Sequence, residues 1–292
     1  MVLVDFWTYT CVNWLRTLPY VRAWAAKYAG AGLTIVGVHT PEFGFERDVD
    51  NVVARSRHLG VDYPIAVDSD YAVWRAFENH FWPAVYLADA EGRIRYHHFG
   101  EGEYAATEMV IQQLLTDAGA DGVEQDLVMV EPRGLEVAAD WGTLRSPESY
   151  LGYGQSTGFA SEDVARLDAP HVYDAAARLP LNYWDVSGTW TVTRHAALLN
   201  EPGGRIAFQF HARDVNLVMG PASTGASIPF KVFLDGHVAG GAHGSDVGSD
   251  GRGIVTDQRT YQLIRQTGIV KERRFEIEFG DAGIEAYCFT FG

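Results

Sequence analysis

The 292-residue sequence predicts an α/β domain at residues 1–118, followed by an all-β sandwich of the jelly-roll type at residues 140–292. Two observations predict this division. Strand-like and helix-like segments alternate in the first part, and short strand-like runs follow one another without helices in the second. Residues 119–139, which begin with a Gly- and Asp-rich stretch, are expected to form a linker.

The α/β domain is expected to contain a largely parallel sheet with crossover helices. Its first segment is a buried apolar strand, and the helix after it repeats apolar residues at helical spacing. In chain order the predicted elements are strand Val2–Trp7, helix Trp14–Ala29, strand Leu33–Val38, helix Phe45–Leu59, strand Ile65–Val67, helix Asp70–Phe77, strands Ala84–Ala88 and Arg93–Phe99, and helix Glu103–Asp117.

Local signals mark the ends and faces of several of these elements. Asp70 can cap the first turn of the short helix that it begins. The tetrad Asp89-Ala90-Glu91-Gly92 is typical of a turn, so the strands on either side should pair as an antiparallel hairpin. The apolar face of the last helix is predicted to consist of Met109, Ile111, Leu114 and Leu115.

The second domain is predicted from short strand-like runs between Gly-, Pro- and Asp-rich turns. Many short strands without helices favour a β-sandwich or a barrel. The predicted strands are Arg205–Phe210, Val215–Met219, Phe230–Leu234, Thr260–Ile264, Phe275–Phe279 and Ile284–Phe291.

Composition and charge exclude several classes of function. The net charge of −15 argues against nucleic acid as a partner, since phosphate binding depends on clustered Lys and Arg. No window approaches the roughly 18 apolar residues of a membrane span. Two cysteines are too few for a multi-disulfide secreted scaffold. As the sequence stands the protein is expected in the cytoplasm, and outside it if an N-terminal leader has been lost, so the compartment stays open.

Cys11 is the candidate reactive residue, because it lies in the turn between a buried strand and a helix. A thiol at a helix N-terminus faces unpaired backbone N–H groups and the positive end of the helix dipole, and both stabilise the reactive thiolate. The alternative is a structural role as a small buried apolar residue, which is how most lone cysteines behave.

Separated motifs then occur in a characteristic order, namely Val4-Asp5-Phe6-Trp7 followed by Cys11, Gly37-Val38-His39-Thr40-Pro41-Glu42-Phe43, Asp62-Tyr63-Pro64-Ile65 with Trp74, Trp82-Pro83-Ala84-Val85-Tyr86-Leu87, Phe99-Gly100-Glu101-Gly102-Glu103-Tyr104 and Ala286-Tyr287-Cys288-Phe289-Thr290-Phe291-Gly292. Together they resemble the thioredoxin superfamily, in particular its TlpA/DipZ-like, or redoxin, branch. The resemblance covers essentially the whole chain. It implies a thioredoxin-like domain without its usual upstream elements, and a C-terminal sandwich similar to carbohydrate-binding modules.

The resemblance also implies roles for single residues. Cys11 matches the attacking cysteine of the C-x-x-C motif, whereas Trp14 stands where the resolving cysteine would be, and an indole cannot attack a disulfide. Pro83 matches the cis-proline that faces the active cysteine. Asp5 matches the buried carboxylate beneath the motif, with a structural role at least as well supported as a catalytic one. The remaining residues expected to border the thiol or the substrate groove are Thr8, Asn13 and Trp82.

Three functions are compatible with a single active-site cysteine. The first is monothiol exchange, in which Cys11 forms mixed disulfides with protein or low-molecular-weight thiols and an external thiol resolves them. The second is a one-cysteine peroxidase, motivated by Thr8 three residues before Cys11, although Val4 departs from that motif. The third is a non-catalytic binding module in which Trp14 forms an apolar contact surface beside Cys11. No cofactor is expected in any of them.

Other candidate sites are weaker. Cys288 lies in an alternating apolar run and is expected to be a core residue that forms no bond with Cys11. The histidines predict no metal site, since the neighbouring His97 and His98 point to opposite faces of a strand. Aromatic rings of the second domain could stack on sugars and form a glycan platform, which would consist of Tyr150, Tyr153, Tyr183, Trp184 and Trp190.

Overall fold

The first unit of the structure, Met1–Val137, has the alternating strands and helices that the sequence predicts. The structure is a computed structural model and describes residues 1–161 and 165–292. No helix among these residues is long and apolar enough to cross a membrane. The strands and α-helices of the first unit are β1 (Val2–Trp7), α1 (Val12–Tyr28), β2 (Thr34–His39), α2 (Val49–His58), β3 (Ile65–Val67), α3 (Ala72–Ala76), β4 (Ala84–Ala88), β5 (Ile94–Phe99) and α4 (Tyr104–Asp117).

These strands form one mixed sheet in the order β3-β2-β1-β4-β5. Strands β1, β2 and β3 are parallel, and β4 runs antiparallel to β1 and to β5, which confirms the predicted hairpin. Side chains of β1 alternate between the two faces, so Leu3 packs with α1 and α4 whereas Phe6 packs with α3. Asp5 shares the face of Leu3 and therefore lies beneath α1. The thioredoxin-like fold expected for this part of the chain is confirmed.

The helix predicted over Phe45–Leu59 is interrupted. A 3-10 turn at Gly44–Arg47 precedes α2, and Asp48 between them accepts a 2.9 Å hydrogen bond from the N–H of Asp50. This cap satisfies a donor at the start of α2. The sequence periodicity cannot reveal the break, because a 3-10 turn of four residues is too short to establish a repeat different from that of an α-helix.

Two further details of this unit differ from the prediction. Asp68, rather than Asp70, caps α3, because its carboxylate accepts hydrogen bonds from the N–H groups of Val73 and Trp74 at 2.9 Å each. Met109 does not belong to the apolar face of α4, since it is 60% exposed.

Residues 119–137, which the sequence predicts to be linker, belong to the first unit and pack on its helices. The N–H of Val128 donates a 2.9 Å hydrogen bond to Glu108 of α4, and the carbonyl of Asp126 accepts one from Gln112 at 3.1 Å. Further along, Glu136 pairs with Arg22 of α1. These contacts assign the segment to the first unit.

The second unit, Ala138–Gly292, is an antiparallel β-structure curled into a sandwich, as predicted. The long strand β8 connects its two sheets, because its residues 184–187 pair with β10 whereas its residues 188–192 pair with β7 and β9. Phe208, Phe275 and Phe289 are fully buried in its core. The strands of this unit are β6 (Ser149–Tyr150), β7 (His171–Tyr173), β8 (Trp184–Val192), β9 (Ala197–Leu199), β10 (Arg205–Phe210), β11 (Asp214–Pro221), β12 (Ile228–Leu234), β13 (His237–Val238), β14 (Arg252–Val255), β15 (Arg259–Arg265), β16 (Arg273–Phe279) and β17 (Ile284–Phe291).

The sequence predicts six of these twelve strands, and the longest of the six that it does not predict is β8. The Ser187-Gly188 pair in the middle of β8 is typical of a turn in the sequence. In the structure Gly188 has φ +96°, a left-handed conformation that glycine adopts readily, and the strand crosses from one sheet to the other at this point.

Candidate active site

Cys11 lies between β1 and α1, at the N-cap of the helix. Its backbone is extended, with φ −69° and ψ 110°, and its N–H donates a 3.2 Å hydrogen bond to the carbonyl of Thr8. The side chain is partly buried and is not part of a disulfide. Cys11 therefore lies at the N-terminus of α1, directly after the loop that follows β1, and its thiol makes no capping hydrogen bond to the helix.

The loop that holds Pro83 comes close to this thiol. The Trp82–Pro83 peptide bond is cis, and the Cys11 thiol donates to the carbonyl oxygen of Trp82 with the two heavy atoms 3.6 Å apart. The Trp82 ring packs on Trp74, with the ring centroids 4.3 Å apart. The structure thus brings Cys11, Trp82 and Pro83 together.

Trp14 does not form the apolar contact surface that one hypothesis requires. Its side chain is fully buried, and it stacks on Trp7 with ring centroids 4.4 Å apart. The indole Nε1 donates a 3.0 Å hydrogen bond to Oδ2 of Asp5. Trp14 points into the protein because its position on α1 faces the sheet, so its role is in the core below the thiol.

Asp5 is a fully buried carboxyl group, as the resemblance implies. Its Oδ2 accepts hydrogen bonds from Trp14 and, at 3.3 Å, from the hydroxyl of Tyr63, whereas its Oδ1 has no hydrogen-bond partner among the described residues. Burial raises the pKa of Asp5 to about 6, and the two hydrogen bonds lower it in part. Tyr63 belongs to the motif Asp62-Tyr63-Pro64-Ile65, but the motif alone does not indicate that its hydroxyl donates to Asp5.

A second buried carboxylate, Glu46, holds the loop before Cys11. Its Oε1 accepts hydrogen bonds from the hydroxyl of Thr10 at 2.7 Å and from the N–H of Thr10 at 3.3 Å. Its Oε2 accepts from the N–H groups of Glu42 and Phe43 at 2.7 and 2.9 Å. Burial raises the pKa of Glu46, and these hydrogen bonds oppose the shift. No sequence pattern singles out this residue, because Thr10 lies in a loop 36 residues away.

A histidine lies in the core behind the same loop. His39 ends β2 and is fully buried, with its ring 4.8 Å from that of Trp7 and stacked on Tyr9 at 5.6 Å. Burial lowers the pKa of His39 to about 4, so the imidazole is neutral at neutral pH.

Two predicted neighbours of the thiol have different surroundings. Thr8 is fully buried, and its carbonyl accepts the hydrogen bond from Cys11. Asn13 is partly exposed in the first turn of α1, and its Oδ1 accepts a 3.4 Å hydrogen bond from Arg16. Arg16 in turn forms an ion pair with Glu101. No sequence pattern indicates this ion pair, because its two residues are 85 positions apart.

Several candidate residues of the second unit lie in its core. Cys288 is 1% exposed in β17 and its thiol donates to the carbonyl of Phe289, which confirms the predicted core role. Trp184 and Trp190 cannot belong to the predicted glycan platform, because both are fully buried in the core, whereas Tyr183 is exposed; glycan binding stays a prediction. Among the described residues, no group of three or more His, Cys, Asp or Glu side chains could hold a metal ion.

Comparison with known proteins relates the chain to thiol-disulfide oxidoreductases. Residues 146–292 match the family described as "Thioredoxin like C-terminal domain". The chain is 37% identical over 226 residues to protein DipZ of Mycobacterium tuberculosis, an alignment that covers 77% of this chain and 32% of DipZ. It is 30% identical over 115 residues to the thiol-disulfide oxidoreductase YkuV of Bacillus subtilis, which covers 39% of this chain and 77% of YkuV.

One solved structure with a similar fold is a secreted disulfide oxidoreductase of Mycobacterium tuberculosis that is homologous to Escherichia coli DsbE. It is 18% identical, with a TM-score of 0.33, and the match covers 40% of this chain and 80% of that one. The present chain spans only 32% of the length of DipZ.

Proposed function

Since this chain belongs to the thioredoxin-like family of thiol-disulfide oxidoreductases, we propose that it exchanges thiols and disulfides through Cys11 alone. The observation that carries the proposal is the position of Cys11 at the N-terminus of α1, with its thiol 3.6 Å from the carbonyl before the cis-proline Pro83. Backbone N–H groups and the helix dipole at this position stabilise a thiolate.

The exchange takes two balanced steps. The Cys11 thiolate attacks a disulfide R–S–S–R′, so that a Cys11–S–S–R bond forms and R′–S⁻ leaves and takes up a proton from water. The thiolate of an external thiol R″–SH then attacks the mixed disulfide, which gives R–S–S–R″ and restores the Cys11 thiolate. One disulfide and one thiol thus become another disulfide and another thiol, and Cys11 ends as it began.

The need for an external thiol follows from position 14. The first unit contains one cysteine, and the residue three positions after it is a tryptophan whose indole is fully buried against Asp5. An indole cannot displace a thiolate from a disulfide. We therefore assign the resolving step to a partner, either a protein thiol or a low-molecular-weight thiol.

The proposal is tested by allowing the reduced protein to react with oxidised glutathione and with a peptide disulfide. We expect one adduct per chain on Cys11 by intact-mass and peptide analysis, formed faster than on a cysteine in an unstructured peptide, and released by a second thiol. The Cys288→Ser variant should behave like the wild type, whereas Cys11→Ser should form no adduct.

Other outcomes favour the alternatives. If hydrogen peroxide rather than a disulfide oxidises Cys11 rapidly, and dimedone traps the sulfenic acid, the one-cysteine peroxidase is the better description. If Cys11 reacts no faster than an unstructured cysteine with either reagent, the exchange proposal is wrong and the chain is a thioredoxin-fold binding protein.

A further inference from the structure

We propose that the buried Arg16–Glu101 ion pair is a positioning device, which holds the Trp82–Pro83 rim of the peptide groove at a fixed distance from the Cys11 thiol. The inference rests on the proposed function, since it concerns how a peptide disulfide is presented to Cys11. We assign both residues an indirect role, through the groups that they hold in place.

The ion pair itself is almost completely removed from solvent. Nη1 of Arg16 lies 2.8 Å from Oε1 of Glu101, and the two side chains are only 2% and 7% exposed. Burial raises the pKa of Glu101, and the neighbouring guanidinium of Arg16 opposes this shift. A buried ion pair of this kind gives little net stability compared with apolar residues of similar size, because both charges lose their hydration. We therefore expect the ion pair to fix the relative positions of the two elements that it links rather than to stabilise the fold.

That geometry is a closed ring of contacts around the groove. Glu101 follows Gly100, whose N–H donates a 2.9 Å hydrogen bond to the carbonyl of Pro83. The preceding carbonyl, that of Trp82, accepts the hydrogen bond from the Cys11 thiol. From Cys11 the ring returns along the first turns of α1 to Arg16, which binds Glu101. The ion pair thus links the helix that carries the thiol to the loop that carries the cis-proline.

The loop around Glu101 has the backbone needed for this contact. Gly100 and Gly102 have φ values of +85° and +102°, which glycine adopts without strain. One left-handed glycine thus lies on each side of Glu101. The Glu101 carboxylate reaches Arg16 of α1, and the N–H of Gly100 donates to the carbonyl of Pro83. The Gly-Glu-Gly sequence directly after β5 therefore connects α1 to the Trp82–Pro83 rim of the groove.

If the ion pair positions the rim, its loss should affect the reaction of Cys11 with a peptide disulfide more than the reaction with a small disulfide. A peptide disulfide must lie along the Trp82–Pro83 rim while one sulfur reaches Cys11, so its reaction depends on the distance between rim and thiol. A small aromatic disulfide needs only access to the thiol. Loss of the ion pair should slow the first reaction and leave the second nearly unchanged.

The test compares three variants of the full chain. Glu101→Gln leaves the Arg16 charge buried without its carboxylate and is expected to lower the melting temperature. The double variant Arg16→Met/Glu101→Leu replaces both charges by apolar side chains and should regain most of that stability. The matched control Lys27→Met/Glu108→Gln removes another ion pair of α1, whose side chains are 13% and 2% exposed.

Two reaction rates of Cys11 are measured in each variant. One is the rate with a cysteine decapeptide activated as its mixed disulfide with thionitrobenzoate, and the other is the rate with dithiobis-nitrobenzoate. We expect the ratio of peptide rate to small-disulfide rate to fall about tenfold in the double variant, despite its recovered stability, and to stay within about twofold of wild type in the control.

The ratio of peptide rate to small-disulfide rate tests the positioning role, whereas the absolute rates test the proposed function. An unchanged ratio in the double variant overturns the inference, and so does an equal fall in the control, since that would indicate a general loss of packing. If Cys11 of the wild type reacts with both disulfides no faster than an unstructured cysteine, the proposed exchange function fails. The ratio still shows in that case whether the ion pair sets the groove.

Discussion

The indole Nε1 of Trp14 donates a 3.0 Å hydrogen bond to Oδ2 of Asp5, and both side chains are fully buried. In the family that this chain resembles, position 14 would carry the resolving thiol and the carboxylate would serve that thiol. Here the same two positions form a structural pair in the core. The proposed exchange therefore relies on Cys11 and on a thiol from outside this site.

Asp5→Asn should stabilise the first unit at neutral pH but not in acid. Burial raises the pKa of Asp5 from 3.8 to about 6, so the folded state binds its proton more tightly than the unfolded state. The resulting stability is fully present below pH 3.8 and is lost as pH rises through 6. A shift of this size corresponds to about 3 kcal/mol at pH above 6.

This difference is measured by guanidinium denaturation between pH 4 and 8, followed by helical circular dichroism, because the described α-helices all lie in the first unit. We expect the variant to exceed the wild type by about 2–3 kcal/mol at pH 7.5 and to match it near pH 4. An advantage that is the same at every pH would show that Asp5 is not the titrating group.

Replacement of His39 should remove a loss of stability in acid. Burial lowers the pKa of His39 from 6.5 to about 4, so its contribution to stability is present above pH 6.5 and is lost as pH falls towards 4. For His39→Phe we expect less destabilisation than in the wild type between pH 6.5 and 4.5, by up to about 2–3 kcal/mol. Parallel curves for the two proteins would contradict the assignment.

Trp14→Cys should give the chain a resolving thiol at a cost in stability. The substitution leaves a cavity where a fully buried indole stood, which costs about 3–5 kcal/mol. If the variant folds, we expect oxidation to form a disulfide between Cys11 and the introduced thiol, and faster reduction of insulin in the presence of dithiothreitol. Trp14→Ala is the matched control, since it has a cavity of similar size without a thiol. Equal activity of the two variants would contradict the prediction.

The two native cysteines should differ strongly in reactivity. Cys11 is partly exposed at the start of α1, whereas Cys288 is 1% exposed in β17. We expect iodoacetamide to label Cys11 in the native protein, and Cys288 at least about a hundredfold more slowly, at the rate of unfolding. Peptide mapping without reductant should yield no Cys11–Cys288 linkage. Its recovery in good yield, or labelling of both thiols at similar rates, would contradict the assigned roles.

Local signals in the sequence were sufficient to predict most elements of the first unit and the position of Cys11 between a strand and a helix. The order of strands and helices around Cys11, the proline at position 83 and the apolar run around Cys288 depend on local periodicity and on short motifs, which need no distant contact to be recognised. Local signals fail in β8, because its Ser187-Gly188 pair is typical of a turn. In the structure Gly188 instead lets one strand continue from one sheet into the other.

The surroundings of the thiol depend instead on contacts between distant parts of the chain. Glu46 meets Thr10 across 36 residues, Arg16 meets Glu101 across 85, and Trp14 turns inward because α1 packs on the face of the sheet that carries Asp5. A buried charged or polar group needs a partner in space, and the sequence does not say which of many candidates will be brought to it. Only the tertiary structure therefore determines these partners, because the order of the strands in the sheet decides which loops and helices are neighbours.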